Sequence, residues 1–164
     1  MIMLKPGKPA PALEFDSLDG QRWRLADQKP RSFTMVVFYR GLFCGTCQDY
    51  LQSLVGLLPE FESRGVITAA VSMDTEADAL ASLRDWSLGS LTLGYRLPRE
   101  AADAWGLHID RRVGDDNLEY AFNQPGLFLI RPDQHIYAAF VQTSEFARPR
   151  FEQVLRAIDF QLGD

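Results

Sequence analysis

Apolar positions in this chain come in two rhythms. Leu13 and Phe15 alternate with polar neighbours, Asp19-Gly20 supplies a turn, and Trp23 and Leu25 alternate on the way back. That period of two around a turn predicts a hairpin over residues 12–26. Lys29-Pro30 breaks the chain, and Phe33 to Tyr39 is then a near-continuous run of β-branched and aromatic residues. Such a run fits a strand covered on both faces. Gly41 ends it. From the cysteines onward the rhythm changes: Leu51, Leu54, Val55, Leu58 and Phe61 form one stripe at helical spacing, predicting a helix over roughly 45–63. Pro59 lies inside that stripe, where a kink or an early end is expected, and Gly65 suits the position just past a helix.

Val66 to Met73 reads as the next buried strand, with Asp74-Thr75 capping a helix from Thr75 to Trp86. Leu91 to Tyr95 predicts a short strand, and Pro98 to Trp105 a short helix closed by Gly106. Residues 107–124 carry neither rhythm. Their polar centre, Asp110 to Asn117, reads as an exposed insertion of the kind that carries function. Gly126–Arg131 and His135–Val141 flank a tight turn at Pro132-Asp133-Gln134 and predict a second hairpin. A last helix follows Pro149, with Phe151, Val154, Leu155, Ile158 and Leu162 on its buried face. The order predicts an α/β fold: a central mixed β-sheet flanked by helices on both faces, with an N-terminal β-hairpin extension.

Composition adds boundaries to this picture. The 164 residues suit one domain spanning 1–164, and 46% hydrophobic with 24% charged residues is globular composition. No apolar run approaches the roughly 20 residues that span a bilayer. The N-terminus lacks the apolar stretch of a secretion signal, so a soluble, cytoplasmic protein is expected, with no membrane partner. A net charge of −5 argues against a nucleic-acid partner, which selects for clustered positive charge. The pairs Arg111-Arg112 and Arg148/Arg150 are too short for a basic patch and read as solvated surface.

The chain has two cysteines, Cys44 and Cys47, spaced Cys-Gly-Thr-Cys at the expected start of the first long helix. Two cysteines cannot close a tetrahedral zinc site alone, and His108 and His135 lie far off in sequence. No cofactor is called for, and no metal within one chain; a dimer sharing four thiolates around a metal or cluster is the non-enzymatic alternative. The spacing points to a redox-active dithiol. A helix N-terminus lowers a thiol pKa through its unpaired N–H groups, so Cys44, at or just before the first turn, is expected to be the exposed, low-pKa nucleophile. Cys47, one turn inside, is expected to be the more buried, resolving thiol.

The element order, with Phe43-Cys44-Gly45-Thr46-Cys47 between the first core strand and its helix, resembles the thioredoxin fold. Within it the chain is most similar to the peroxiredoxins (alkyl hydroperoxide reductase/thiol-specific antioxidant branch). The leading hairpin, the segment Val66–Asp74, the helix Pro98–Gly106 and Gly-Leu-Phe-Leu-Ile-Arg-Pro-Asp occur in the expected order over roughly residues 6–160. The resemblance implies a cis peptide at Gln124–Pro125 with the proline facing the cysteines. Its peroxide motif, Pro-x-x-x-Thr-x-x-Cys, falls on Arg40-Gly-Leu-Phe-Cys44-Gly-Thr-Cys47. Cys47 matches, Cys44 replaces Thr, Arg40 replaces Pro, and the family's distal Arg falls on Pro125. That register makes Cys47 the peroxide-attacking thiol, against the helix-field argument for Cys44.

Arg40 is the cation the sequence offers beside the thiols, able to stabilise a thiolate and orient a peroxide oxygen; the alternative is a surface arginine paired with a carboxylate such as Asp49. Thr46 is expected to tune the disulfide's potential. Tyr39 either donates a hydrogen bond to the site or packs in its strand. Neither histidine is given a role, and Phe43, Trp86, Trp105 and Phe128 are expected in the core or a pocket wall. The resemblance implies a thiol-dependent antioxidant oxidoreductase reducing hydroperoxides through a Cys44/Cys47 dithiol–disulfide cycle, with a thioredoxin-like or small-thiol reductant and a possible homodimer. The local motif supports the alternative, a thiol–disulfide oxidoreductase acting on protein or small-thiol disulfides.

Overall fold

The computed structural model describes residues 3–163. The N-terminal hairpin pairs β1 (Glu14–Ser17) with β2 (Arg22–Arg24). Then come β3 (Phe33–Phe38), α1 (Gly45–Ser63), β4 (Val66–Val71), α2 (Glu76–Asp85), β5 (Thr92–Tyr95) and α3 (Arg99–Ala104). The chain continues through β6 (Ile109–Val113), β7 (Glu119–Asn123), β8 (Gly126–Ile130), β9 (Ile136–Val141) and α4 (Phe151–Leu162). Seven strands form one mixed sheet in the order β2-β1-β5-β4-β3-β8-β9. β3, β4 and β5 run parallel, whereas β8 lies antiparallel to β3 and β9 antiparallel to β8.

β3 sits near the centre of this sheet, and all six of its residues are buried. The reason is that both faces are covered. Phe33, Met35 and Val37 face α1 and α4, against Leu51, Leu54, Phe61, Phe151 and Ile158. Val36 and Phe38 face the opposite layer, with Phe15, Trp105, Phe128 and Ile130. A strand buried on both sides has no use for polar alternation, which is why its sequence is continuously apolar. Trp86, Trp105 and Phe128 are core residues, as expected.

The long helix occupies the span its stripe predicts and runs on through Pro59. α2 starts at the expected cap: the Thr75 hydroxyl accepts the Asp78 N–H at 3.2 Å.

Residues 107–124 are not a loose insertion. β6 and β7 pair antiparallel from Ile109↔Asn123 to Val113↔Glu119, as a separate two-stranded sheet. The turn is held by the Gly114 N–H to the Leu118 carbonyl at 2.8 Å and by Asp116, which accepts the Leu118 N–H at 3.0 Å and the Tyr120 hydroxyl. Asn117 takes φ +63 there, a conformation asparagine tolerates. One face of this hairpin meets water, and the other meets the cysteine loop through Phe43 and Phe122, ring centroids 4.9 Å apart. So small a buried face leaves no apolar rhythm in the sequence.

Candidate active site

α1 begins where β3 delivers the chain to its N-terminus. Cys44 is the N-cap, in extended conformation, and its sulfur accepts the Cys47 N–H at 3.3 Å. The first turn of α1 carries no acidic residue, whereas that of α2 carries Glu76 and Asp78. The positive end of α1 is therefore left to the sulfur.

Three more donors converge on Cys44 Sγ. Arg40 Nη1 lies 3.5 Å away, Arg148 Nη2 3.7 Å, and the Thr46 hydroxyl 3.2 Å. Thr46 Oγ1 also accepts from Arg148 Nη2 at 3.1 Å, so its own proton is free to turn to the sulfur. Cys47 Sγ accepts the Arg40 backbone N–H at 3.4 Å and Arg148 Nη2 at 3.3 Å. Both cysteines are free thiols in this structure.

These contacts drive the two thiols apart. Hydrogen bonding from the Cys47 thiol, from Thr46 and from Arg40 outweighs burial and holds Cys44 well below the ordinary thiol range. Burial, and the demand that Cys47 keep its proton to donate to Cys44, push Cys47 up. The difference in exposure expected between them is absent: Cys44 is 2% and Cys47 0% exposed. Hydrogen bonding lowers Cys44, whereas burial is the largest influence that raises Cys47.

Arg148 was not legible as a site residue. Its sequence context reads as surface, yet the segment between β9 and α4 folds back and lays its guanidinium across both sulfurs. Arg150, its sequence partner, is exposed and faces Glu152. The returning segment is anchored by the Tyr50 hydroxyl, which donates to the Pro149 carbonyl, and by Arg148 lying over the Tyr50 ring at 5.2 Å. Glu145 on the same segment stands 3.9 Å from Arg40. Arg40 thus stands beside the sulfurs, though not as the lone cation. The family's distal arginine falls on Pro125 in sequence register, and the guanidinium at the sulfurs comes instead from position 148.

The expectation of a cis peptide at Gln124–Pro125 is corrected. Among the described residues no peptide bond is cis. The Gln124 N–H donates to the His108 carbonyl at 2.7 Å and the Pro125 carbonyl accepts the Gln142 N–H at 3.0 Å. These bonds lie on the path from β7 into β8. The segment does lie beside the end of β3, since Asn123 Nδ2 donates to the Tyr39 carbonyl at 3.1 Å. Tyr39 is fully buried, packs near Trp86 and shares a core cluster with Cys44 and Cys47, and its hydroxyl has no hydrogen-bond partner among the described residues.

A cleft of about 560 Å³ opens beside the cysteine loop, lined by Phe43, Asp74, Asp78, Arg112, Tyr120 and Phe122 among others. Along it, guanidiniums and rings alternate. Arg40 lies 4.9 Å from the Phe122 ring and 5.1 Å from Phe43, and Arg112 lies 4.4 Å from Phe43 and 5.2 Å from Tyr120. Phe43 is 39% exposed here, a pocket wall rather than core. Arg112 is therefore a second arginine that sequence context alone assigned to the solvated surface.

The sheet order, the helix that begins at the dithiol and the hairpin at its N-terminus define a thioredoxin-like fold with a buried, polarised Cys-x-x-Cys. The model of the AhpC/TSA family matches residues 6–139, and the chain belongs to that family. It is 27% identical over 151 residues to a 1-Cys peroxiredoxin of Dictyostelium discoideum, covering 88% of this chain and 56% of that protein. The chain thus spans about half the length of the curated relative it matches. Its fold is similar to that of a cysteine-to-serine mutant of Peroxiredoxin 6 of Arenicola marina, with TM-score 0.80 and 23% identity over 98% of this chain and 74% of that one. Mycobacterium tuberculosis AhpC gives TM-score 0.79 at 20% identity, covering 99% and 96%.

Proposed function

We propose that this protein is a cytoplasmic thiol-dependent peroxidase in which Cys44 attacks the hydroperoxide and Cys47 resolves the product. Membership of the AhpC/TSA family supports the reaction. The observation that carries the assignment of roles is the set of donors around Cys44 Sγ: a helix-start N–H, a hydroxyl and two guanidiniums.

The Cys44 thiolate attacks the terminal oxygen of ROOH and displaces the alkoxide. The O–O bond breaks, an S–O bond forms, and the departing alkoxide takes a proton to leave as ROH. Arg40 and Arg148 are suited to the charge that builds on the departing oxygen. Arg40 Nε and Arg148 Nη1 are buried with no partner among the described residues, so each has a donor to offer. The Cys47 thiol then attacks the Cys44 sulfenic acid, water leaves, and a disulfide forms. A dithiol or two small thiols reduce it, giving ROH, water and an oxidised reductant overall.

The divergence of the two thiols within one Cys-x-x-Cys favours a second reading, thiol–disulfide exchange with protein or small-thiol disulfides. Stopped-flow mixing of reduced protein with hydrogen peroxide and with an organic hydroperoxide, beside an insulin-reduction assay, separates the two. The first reading expects reaction orders of magnitude faster than a free thiol. Insulin reduction with peroxide reactivity no better than free cysteine would reject it for the second.

A further inference from the structure

The loop from Arg40 to Phe43 carries most of the site: the Arg40 amide on Cys47, the Arg40 guanidinium on Cys44, and the entry into α1. Asp74 fastens this loop from the side. It lies beyond the end of β4 and is 8% exposed. Its Oδ2 accepts the Leu42 N–H at 2.8 Å. Its Oδ1 presses on Gly41 so closely that a Cβ there would stand 2.6 Å away, and Gly41 takes φ +142, where L side chains are strained. Asp74 is itself held at both ends of its backbone. Its N–H donates to the Ser72 hydroxyl at 3.1 Å and its carbonyl accepts the Arg96 N–H at 2.8 Å. A rigid, buried carboxylate thus meets the loop backbone at a point where only glycine permits the approach, without hydrogen-bonding to either sulfur.

We propose that Asp74 is a positioning residue, a clasp that holds Leu42 and thereby sets Arg40 and the helix start against the two sulfurs. The proposal rests on Cys44 being the reactive sulfur, but not on what that sulfur attacks. Ionised, Asp74 is a strong acceptor for the Leu42 N–H; protonated, it is a weaker one and the loop loosens. Burial lifts its carboxyl to about 6, Asp78 adds to the rise, and the Leu42 N–H and Arg112 oppose it. The groups facing it are Asp78 from α2, Arg112 from β6, and the Tyr39 hydroxyl from the end of β3, with Arg40, Asp115 and Asp116 across the cleft. The clasp therefore works at neutral pH and releases as pH falls through about 6.

The test follows Cys44 alkylation by iodoacetamide from about pH 3 to 8.5, with thiolate absorbance at about 240 nm, in reduced wild type, Asp74→Asn and Asp74→Ala. Wild type should show an inflection near pH 6 in alkylation, in addition to the thiol's own titration at lower pH. Asp74→Ala, with no acceptor for Leu42, should lose about tenfold in rate at about pH 8 and raise the thiol pKa. Asp74→Asn keeps an amide oxygen for the Leu42 N–H and cannot titrate. It should lack the inflection and fall between the other two in rate, a partial rescue that a merely structural effect would not produce. The proposal is overturned if Asp74→Asn keeps the inflection, or if Asp74→Ala keeps the wild-type rate and thiol pKa. Neither readout uses peroxide, so failure of the peroxidase reading and failure of the clasp are distinguishable. Should Asp74→Ala not fold, the Asp74→Asn profile alone decides.

Discussion

The two ends of α1 use arginine in opposite ways. At the C-terminal end Arg64 is held by oxygen acceptors on all three nitrogens. Its Nε and Nη2 grip the Asp159 carboxylate of α4, Nη2 at 3.1 Å, and its Nη1 takes the Glu60 carboxylate at 3.0 Å and the Glu60 carbonyl at 2.9 Å. Asp159 is held below the ordinary carboxylate range by that fork, and Arg64 is pushed up. At the N-terminal end Arg40 and Arg148 have, among the described residues, sulfurs as neighbours, one distant carboxylate in Glu145, and a buried donor each with no partner. A guanidinium whose donors are met by carboxylates fastens two helices. One with donors to spare, beside a polarised thiol, is available to an incoming oxygen.

The contrast breaks most visibly at the cysteines. Cys44→Ser should abolish single-turnover reaction with hydroperoxide, whereas Cys47→Ser should keep it and accumulate a dimedone-reactive sulfenic acid. The low pKa of Cys44 should also leave Cys47→Ser alkylating below neutral pH. Mass spectrometry of the trapped adducts checks this; the opposite pattern would assign the attack to Cys47, as the family's motif register has it.

A smaller effect separates the two N-terminal arginines. Arg148→Met should slow peroxide reaction by roughly 10–100-fold, because one nitrogen serves both sulfurs and Thr46. Arg40→Met should slow it by about tenfold. Both should raise the Cys44 pKa, read from thiolate absorbance. If neither moves it, the guanidiniums are spectators and the helix start alone lowers the thiol.

The smallest effect belongs at the other end. Arg64→Ala should lower the melting temperature at neutral pH and leave thiol pKa and peroxide rate unchanged. Because Asp159 is depressed in the folded state, the pair's stabilisation is present above the ordinary carboxylate range and is lost as pH falls through the depressed value. The melting difference between wild type and Arg64→Ala should therefore close in acid. A shift in thiol reactivity in Arg64→Ala would show that the two ends are not independent.

Order along the chain settles whatever near neighbours decide between themselves. The continuous apolar run of β3, the stripe of α1, the cap at Thr75 and the dithiol at a helix start each follow from local periodicity or from a cap reaching three residues ahead. Cys-x-x-Cys at that position was enough to point to thiol redox chemistry. Other features exist only once the chain has folded back on itself. Arg148 reaches Cys44 across 104 positions, and nothing near it in sequence marks it apart from exposed Arg150. Asp74 meets Leu42 across 32 positions, where the sequence shows only a helix-start residue. The β6–β7 hairpin has too little buried face to print a pattern. Periodicity records which face of an element is buried, but not which distant group the fold sets against it.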